Sequence, residues 1–268
     1  MGLSHKIWRS GQLVRGNGAF LRNYLRGARL SGPPIFILGC GHSGTSLLLK
    51  VLDMHSQVYG VPYESRLLFK DPLRIRLLNL LWAKAAIAEG KGCWAEKTPM
   101  HILRIGRVFE LYPEARVLLV IRDGRDVALS LRKRWHDFDR AVERWIADNR
   151  EGERWWDHPQ VHRVRYEEMV ADFEPTLRRV CGFLQLPYEE GLADFHRKPA
   201  YFFSRQLEKP SSEAGEDHKH FRNWQINQRL FDGSGKWVAG LTAEEKALFK
   251  ARAGRMLIDY GYAADLDW

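Results

Sequence analysis

The sequence predicts a single α/β domain in which helices cover both faces of a parallel sheet. The runs 35–38 and 116–121 are apolar, rich in strand-forming residues and free of polar alternation, which is typical of strands buried on both faces. Segments with helical periodicity separate these and other short strand-like runs, as expected of a parallel sheet. No linker rich in Pro and Ser divides the 268 residues, so we expect one domain that spans 33–268.

A basic extension, residues 1–32, precedes this domain. Arginines recur there at nearly heptad spacing with apolar residues between them, namely Arg15, Arg22, Arg26 and Arg29. Such a segment, if helical, would be cationic and amphipathic and could make peripheral contact with an anionic membrane. Its glycines argue against a long helix, so a short packed helix or a loose tail is the preferred interpretation.

The first strand, 35–38, runs into a glycine-rich turn and then into a helix. Gly39, Gly41 and Gly44 are followed by two hydroxyl residues and an apolar run. Glycines let the backbone approach an anion closely, and the next helix N-terminus offers free N–H groups, so this order suits a phosphate. The spacing is that of a P-loop, except that Thr45 stands where nucleoside triphosphatases have lysine. We therefore expect a P-loop-type sheet whose loop binds one phosphate; a glycine-rich turn of another α/β domain is the alternative.

The composition of the whole chain narrows the classes of ligand and location. A net charge of +9 favours anionic ligands, but no nucleic-acid-binding motif is present, so we expect no nucleic-acid partner. The three cysteines have unrelated spacings, which predict neither a disulfide framework nor a metal site. There is no apolar run long enough for a membrane span or a signal peptide, and a cytoplasmic location is the simplest inference.

Two charged residues come directly after predicted strands. Residues 57–62 are predicted to form the second strand, which is followed by Glu64, and the strand over 93–97 ends at Lys97. The carboxyl ends of parallel strands meet at the edge that carries the phosphate loop, so both side chains are well placed for chemistry. The alternatives are a helix N-terminal acid for Glu64 and a surface charge for Lys97.

Helices are predicted for 72–89 and 99–111. In the first helix, the apolar face is expected to include Leu73 and Leu77. The second helix is expected to begin with Thr98 as its capping residue, ahead of a proline at the first helical position.

The strand over 116–121 leads into a possible second anion site. Arg122 stands at its end, and Ser130 follows on the second turn of a helix predicted for 126–134. A guanidinium and a hydroxyl in these positions could clamp an anion. The alternative for Arg122 is an ion pair with Asp123 or Asp126.

The C-terminal half continues the alternation of strands and helices. The predicted elements are a helix over 138–150, a strand over 161–166, one or two helices over 168–184, and a last helix that begins with the capping box Thr242-Ala-Glu-Glu245. Residues 188–232 have no clear periodicity, which is typical of a lid, a binding loop or disorder. A second glycine-rich turn, 233–237, carries Lys236 and Trp237.

Several segments together resemble the sulfotransferases that use 3'-phosphoadenosine 5'-phosphosulfate (PAPS), in particular the bacterial type that is similar to the glycan and tyrosyl-protein branch. The segments are 39–48 (GCGHSGTSLL), 96–99 (EKTP), 122–130 (RDGRDVALS), 164–187 and 235–237 (GKW). Each segment alone is weak evidence for the resemblance, but the order and spacing of the segments together are strong evidence. The resemblance covers roughly residues 33–262.

The resemblance implies PAPS as sulfuryl donor, 3'-phosphoadenosine 5'-phosphate (PAP) as product, and no required metal. The 5'-phosphosulfate would be held by the loop residues Gly41, His42, Ser43, Gly44, Thr45 and Ser46. Arg122 and Ser130 would hold the 3'-phosphate. Tyr166, Lys236 and Trp237 would complete the nucleotide pocket.

The resemblance also implies catalytic roles. Glu64 matches the family's general base, which takes the proton of the acceptor hydroxyl, and Lys97 matches the lysine that stabilises the leaving phosphate oxygen. His42 stands where many relatives have arginine, so its role as sulfonate donor or acid/base is open. His101 could face the same cleft or be a helix-end histidine bonded to backbone.

The preferred hypothesis is sulfuryl transfer to a hydroxyl of a glycan, a lipid or a small metabolite. A P-loop kinase acting on a nucleoside or small molecule is the alternative, against which the absent lysine counts. A non-enzymatic protein that binds anions or membranes is the third possibility. The acceptor is expected to contact residues 66–92 and 195–230, whose sequence does not identify it.

Overall fold

The structure is a computed structural model that describes residues 30–211 and 217–268. The basic extension that the sequence predicts over 1–32 lies outside the described residues except for 30–32, and so does its expected membrane contact. No helix in the described part of the chain has the length and apolarity needed to cross a membrane.

Five parallel strands form the single sheet of the described residues. The strands are β1 (Ile35–Gly39), β2 (Val58–Gly60), β3 (Cys93–Lys97), β4 (Arg116–Ile121) and β5 (Val161–Arg165). Their order across the sheet is β2-β3-β1-β4-β5, and every neighbouring pair is parallel. This confirms the predicted parallel α/β fold. Because β1 lies between β3 and β4, the turn after β1 is flanked by the ends of those two strands.

Ten α-helices in the described residues connect and cover the strands. In chain order they are α1 (Thr45–Leu52), α2 (Pro72–Ala88), α3 (Ile105–Leu111), α4 (Gly124–Trp135), α5 (Phe138–Glu153), α6 (Tyr166–Ala171), α7 (Phe173–Leu184), α8 (Asp217–Ile226), α9 (Trp237–Gly240) and α10 (Ala243–Asp259). Short 3-10 helices occur at Leu67–Phe69, Pro99–Arg104 and Glu190–Arg197. The predicted capping box of the last helix is present at Thr242 and Glu245.

The sheet has a hydrophobic core on each face. Ile35 and Ile37 of β1 contribute to a cluster that includes α1 and α7, whereas Phe36 and Leu38 contribute to the cluster on the opposite face. All four side chains are almost fully buried. A strand without polar alternation is therefore buried on both faces, as the sequence predicts.

Helix α2 buries a different face from the one predicted. Ile75 and Trp82 are buried, while Leu73 and Leu77 are 76% and 54% exposed. The apolar periodicity predicts a face of Leu73, Leu77, Leu78, Leu81, Ala85 and Ala88, of which Ala85 is buried, and does not include Ile75 or Trp82. In the structure the helix is instead oriented by Trp82, which packs against Trp94 of β3 with ring centroids 4.9 Å apart.

The helix predicted over 99–111 is divided in two. Pro99–Arg104 forms a 3-10 helix, and α3 follows after Arg104, whose φ of −145° is not helical. Thr98 does not cap the first segment: its hydroxyl donates to Glu96, and its oxygen accepts from the Arg66 backbone. Thr98 therefore connects two loops at the edge of the sheet.

Candidate active site

The turn after β1 needs glycine at two positions. Gly39 has a φ of 151°, and a Cβ there would lie 2.4 Å from the Val120 carbonyl oxygen. Gly44 has a φ of 98°, and a Cβ there would lie 2.6 Å from the Tyr166 ring. The backbone thus packs directly against β4 and Tyr166. At Gly41, in contrast, an added Cβ would meet nothing within 4 Å.

The hydroxyl groups of this turn are buried at the start of α1. Ser43, Thr45 and Ser46 are at most 2% exposed, and the Ser43 hydroxyl has no hydrogen-bond partner. Gly44 precedes α1 without a capping side chain, so no side chain satisfies the first amides of the helix. A buried unpaired hydroxyl beside an uncapped helix N-terminus fits an anionic group such as a phosphate.

Arg122, at the end of β4, contacts the turn directly. Its guanidinium donates to the carbonyl oxygens of His42 (3.1 Å) and Gly233 (2.7 Å) and lies 4.1 Å from the centre of the Tyr166 ring. Its Nε is buried without a partner. Arg122 is therefore held in place by neutral groups, with one N–H left for a ligand.

The alternative interpretation of Arg122 as an ion-pair partner of Asp123 or Asp126 is wrong. Asp123 pairs with Arg125 at 2.7 Å. Asp126 accepts the backbone N–H groups of Gly235 and Trp237 at 2.8 and 2.9 Å. The two carboxylates thus support other parts of the fold.

His42 joins the loop to the predicted second anion site. Its Nδ1 lies 2.7 Å from the hydroxyl oxygen of Ser130, on α4, and its backbone oxygen accepts from Arg122. Arg122 and Ser130, which are 80 and 88 positions from His42 in sequence, therefore meet the glycine-rich turn at one place. The positive φ of His42, 70°, is part of the turn that makes this contact.

The second glycine-rich turn is close to the site, but two of its predicted ligands point elsewhere. Gly233 packs near Tyr166 and Arg122. Trp237 lies over the Arg125 guanidinium (3.8 Å) and against Trp268. Lys236 is exposed, near the Phe231 ring. Neither Lys236 nor Trp237 lines the cleft described below.

Glu64 and Lys97 form an ion pair at the ends of β2 and β3. Lys97 Nζ donates to Glu64 Oε1 at 2.6 Å. The lysine is 2% exposed, whereas the glutamate is 43% exposed, so its carboxylate is accessible to a ligand from solvent. Burial lowers the pKa of Lys97, and Glu64 acts in the opposite direction. The prediction that the two residues share one edge of the sheet is confirmed.

A buried hydrogen-bond network fixes the segment that follows Glu64. The backbone N–H groups of residues 65–68 all donate to side chains, namely those of Glu96, Thr98, Ser65 and His101 in that order. Glu96 and Thr98 belong to the EKTP stretch. This stretch therefore supplies Lys97 and also holds the backbone next to Glu64.

His101 lies inside this network and does not face the cleft. It is fully buried, its Nδ1 is 3.1 Å from Glu96 Oε2, and its Nε2 accepts the Leu68 N–H. The backbone-bonded alternative for this histidine is thus the correct one. Burial would raise the pKa of Glu96, but His101, Ser65 and Thr98 outweigh it, so the pKa lies below its usual value.

A cleft of about 490 Å³, open to solvent, lies over the glycine-rich turn. Among its lining residues are His42, Gly44, Ser46, Arg122, Tyr166 and Arg222. Sequence reasoning missed Arg222, which is on α8. The surrounding stretch 188–232 has little apolar periodicity, and only the run of basic residues near 219–222 could have drawn attention to it.

No group of three or more His, Cys, Asp or Glu side chains arranged to hold a metal occurs in the parts of the chain that the structure describes. The expectation that the chain requires no metal stays a prediction.

Comparison with known sequences points to one family. The family model described as "Sulfotransferase family" matches residues 72–190. Protein-tyrosine sulfotransferase A of Caenorhabditis elegans is 28% identical over 212 residues, which are 61% of this chain and 53% of that protein. The Drosophila melanogaster protein-tyrosine sulfotransferase is 24% identical, over 62% of this chain and 41% of that protein. The chain thus spans about half the length, or less, of these curated relatives.

Comparison with solved structures finds sulfotransferases that share the fold of this chain. The sulfotransferase domain from the curacin biosynthetic pathway superposes with a TM-score of 0.57 at 16% identity, covering 85% of this chain and 98% of that chain. Mouse sulfotransferase SULT7A1, complexed with PAP, superposes with a TM-score of 0.53 at 15% identity, covering 92% and 94%. At such identities the likeness shows a shared fold.

Proposed function

We propose that the chain is a sulfotransferase that transfers the sulfuryl group of PAPS to a hydroxyl group, with Glu64 as general base; the family model over residues 72–190 and the similarity to protein-tyrosine sulfotransferases support this proposal. The observation that carries this proposal is the contact between Lys97 and Glu64, 2.6 Å apart, at the edge of the sheet that also carries the lysine-free phosphate loop. An exposed carboxylate beside a buried ammonium suits a reaction that removes one proton and stabilises one leaving oxygen.

The nucleotide would be bound at two anion sites. The loop residues Gly41 to Ser46 would hold the 5'-phosphosulfate, and the unpaired Ser43 hydroxyl and uncapped helix start support this role. Arg122 and Ser130 would hold the 3'-phosphate, supported by the free Arg122 N–H. The mouse structural neighbour is a complex with PAP.

Tyr166 would form one wall of this nucleotide site. Its ring packs over Gly44 and under the Arg122 guanidinium, so it keeps the two anion sites at a fixed spacing. The roles of Lys236 and Trp237 as nucleotide ligands stay predictions; neither residue lines the cleft. Both belong to a turn that Asp126 holds next to Arg122.

The transfer would be an in-line displacement at sulfur. The acceptor oxygen forms a bond to sulfur as the bond between sulfur and the phosphate oxygen breaks, and the acceptor proton passes to Glu64. The electron pair of the broken bond stays on PAP, next to the Lys97 ammonium. Such loose transfer depends chiefly on positioning and charge stabilisation.

The acceptor classes that we propose are a glycan, a lipid or a small metabolite with a hydroxyl group. The exposed face of Glu64 admits an acceptor from solvent. A cytoplasmic location and a membrane contact through the basic N-terminal extension stay predictions.

The proposal is tested by incubating the protein with PAPS that carries a radiolabelled sulfuryl group and with panels of hydroxyl-bearing oligosaccharides, lipids and phenols. We expect label in one panel with the wild type and transfer to that panel about 10²–10⁴-fold slower with Glu64→Gln. Label transfer that is equal in both proteins would exclude Glu64 as the base. Transfer of the terminal phosphate of labelled ATP, with no sulfuryl transfer, would favour the kinase alternative.

A further inference from the structure

Arg222 lies between the two halves of the candidate site. It lines the cleft together with His42, Ser46 and Arg122 on the nucleotide side. On the other side it interacts electrostatically with Lys97 and Glu64: Arg222 adds to the lowering of the Lys97 pKa, and Glu64 opposes the lowering of the Arg222 pKa.

The Arg222 guanidinium has no acidic partner among the described side chains, 30–211 and 219–268. It forms no ion pair there within 4.0 Å, and its one hydrogen bond is a long contact, 3.4 Å, with Gln225. Arg125, in contrast, is paired with Asp123 at 2.7 Å.

The electrostatic environment of Arg222 is unfavourable without a ligand. Burial lowers its pKa to about 10; Glu64 opposes this change, and Arg122 and Arg134 add to it. Arg222 still carries its charge at neutral pH. Three arginines, Arg122, Arg222 and Arg229, line this cleft, and no carboxylate is among its described lining residues, so a bound anion would relieve the repulsion between the three cations.

The phosphate loop itself offers little positive charge for such an anion. Thr45 occupies the position where a P-loop lysine would reach the terminal group of a bound nucleotide. His42, the one titratable side chain of the loop apart from a buried cysteine, is engaged with Ser130. A cation for the terminal group has to come from another element.

We propose that Arg222 is a further catalytic residue, whose guanidinium binds the oxygens of the sulfuryl group while it moves from donor to acceptor. This inference rests on the proposed function. Arg222 lies between the phosphate loop and the Glu64–Lys97 pair. The sulfuryl group would pass through this region as it moves from the 5'-phosphate to the acceptor hydroxyl. Arg222 neither gives nor takes a proton; it stabilises the equatorial sulfuryl oxygens as the bond to phosphate breaks and the bond to the acceptor forms.

The two nucleotides PAPS and PAP differ by the sulfuryl group alone. If Arg222 binds the sulfuryl oxygens, its removal weakens the binding of PAPS only; if it binds a phosphate, its removal weakens the binding of both nucleotides. Calorimetric titration of both nucleotides needs no knowledge of the acceptor. For Arg222→Ala we expect PAPS to bind about tenfold more weakly or worse, because a charge-assisted hydrogen bond is lost. The affinity for PAP should stay within about twofold of wild type.

Two further variants make this test specific. Lys219→Ala removes another cation from the same helix, but an exposed one, and should leave both affinities unchanged. Arg222→Met keeps the apolar stem and shows the same selective loss even if the alanine variant is unstable.

Equal weakening of PAPS and PAP in both Arg222 variants, or no weakening of either, would overturn the assignment. A wild-type protein that binds neither nucleotide would instead overturn the proposed function, on which the assignment rests. The two failures are therefore distinguishable in one set of titrations.

Discussion

The carboxylate of Glu96 accepts two hydrogen bonds from Ser65, one from the backbone N–H at 3.1 Å and one from the hydroxyl at 2.6 Å. Ser65 directly follows Glu64, so a fully buried side chain of β3 fixes the backbone next to the proposed base. The same carboxylate lies 3.1 Å from His101. Glu96 thus both stabilises this edge of the sheet and holds the backbone that positions Glu64.

The first prediction concerns Glu96→Gln. The Leu68 N–H donates to His101 Nε2, which places the histidine proton on Nδ1, facing Glu96. A glutamine amide would put its NH2 group opposite that proton or, in the flipped orientation, opposite the Ser65 backbone N–H, so that a buried donor loses its acceptor in either case. We expect the free energy of unfolding to fall by about 1–3 kcal/mol and sulfuryl transfer to slow, with PAP affinity unchanged. Denaturant unfolding and PAP titration measure these effects.

The control for this variant is Glu89→Gln, since Glu89 is exposed at the end of α2 and forms only a 3.8 Å ion pair with Lys91. Its stability should be within about 0.5 kcal/mol of wild type. A Glu96→Gln protein that is as stable as this control would show that the buried network does not hold the segment after Glu64.

The second prediction concerns acid unfolding. The pKa of Glu96 is lowered in the folded protein, so its ionised form contributes stability that is complete above the usual value of 4.5 and is lost as the pH falls through the lower folded value. Below pH 4.5 the wild type should therefore lose stability more steeply than Glu96→Gln. Unfolding midpoints measured from pH 6 to pH 3 test this; parallel curves for the two proteins would contradict it.

The third prediction concerns Glu64→Gln. If Glu64 is the base, the transfer rate should fall by about 10²–10⁴-fold, while the affinity for PAP stays unchanged because the hydrogen bond that Glu64 forms among the described residues is with Lys97 and not with the phosphate loop or Arg122. Glu64→Asp, which keeps the carboxylate on a shorter stem, should retain part of the rate. Full activity in Glu64→Gln would assign the proton transfer to another group.

The fourth prediction concerns the loop backbone. At Gly44 an alanine would need a φ of 98° and would place Cβ 2.6 Å from Tyr166, so Gly44→Ala should destabilise the protein by about 1–3 kcal/mol and abolish PAP binding. Gly182→Ala is the matched control, because its Cβ would meet nothing within 4 Å inside α7 and should be neutral or stabilising. Normal PAP binding by Gly44→Ala would contradict the close packing of this turn on Tyr166.

The sequence was sufficient to predict the elements that are locally determined. The strand over 35–38 lacks polar alternation and is buried on both faces. Glu64, Lys97 and Arg122 lie along one edge of the sheet because parallel strands align their carboxyl ends. The contact between His42 and Ser130, 88 positions apart, follows from that same alignment, although sequence spacing alone does not reveal it.

The errors concern features that depend on tertiary packing. The packing of Trp82 of α2 against Trp94 of β3 decides which face of α2 is buried. This contact joins two elements, so the sequence of the helix alone does not predict it. Thr98 has the sequence of a helix cap, but its hydroxyl bonds to Glu96 instead. Arg222 lies in a stretch without periodicity, and its place in the cleft results from the packing of α8 against α1.

We propose above all that the lysine-free loop and Arg122 together bind a nucleotide with a 5'-phosphosulfate and a separate 3'-phosphate. Calorimetric titration with PAP, ATP and 5'-AMP on wild type, Arg122→Ala and the exposed control Arg150→Ala tests it most directly. We predict tight PAP binding and weak ATP and 5'-AMP binding by wild type and Arg150→Ala, with PAP binding lost in Arg122→Ala. ATP binding that equals or exceeds PAP binding and is unaffected by Arg122→Ala would contradict the account.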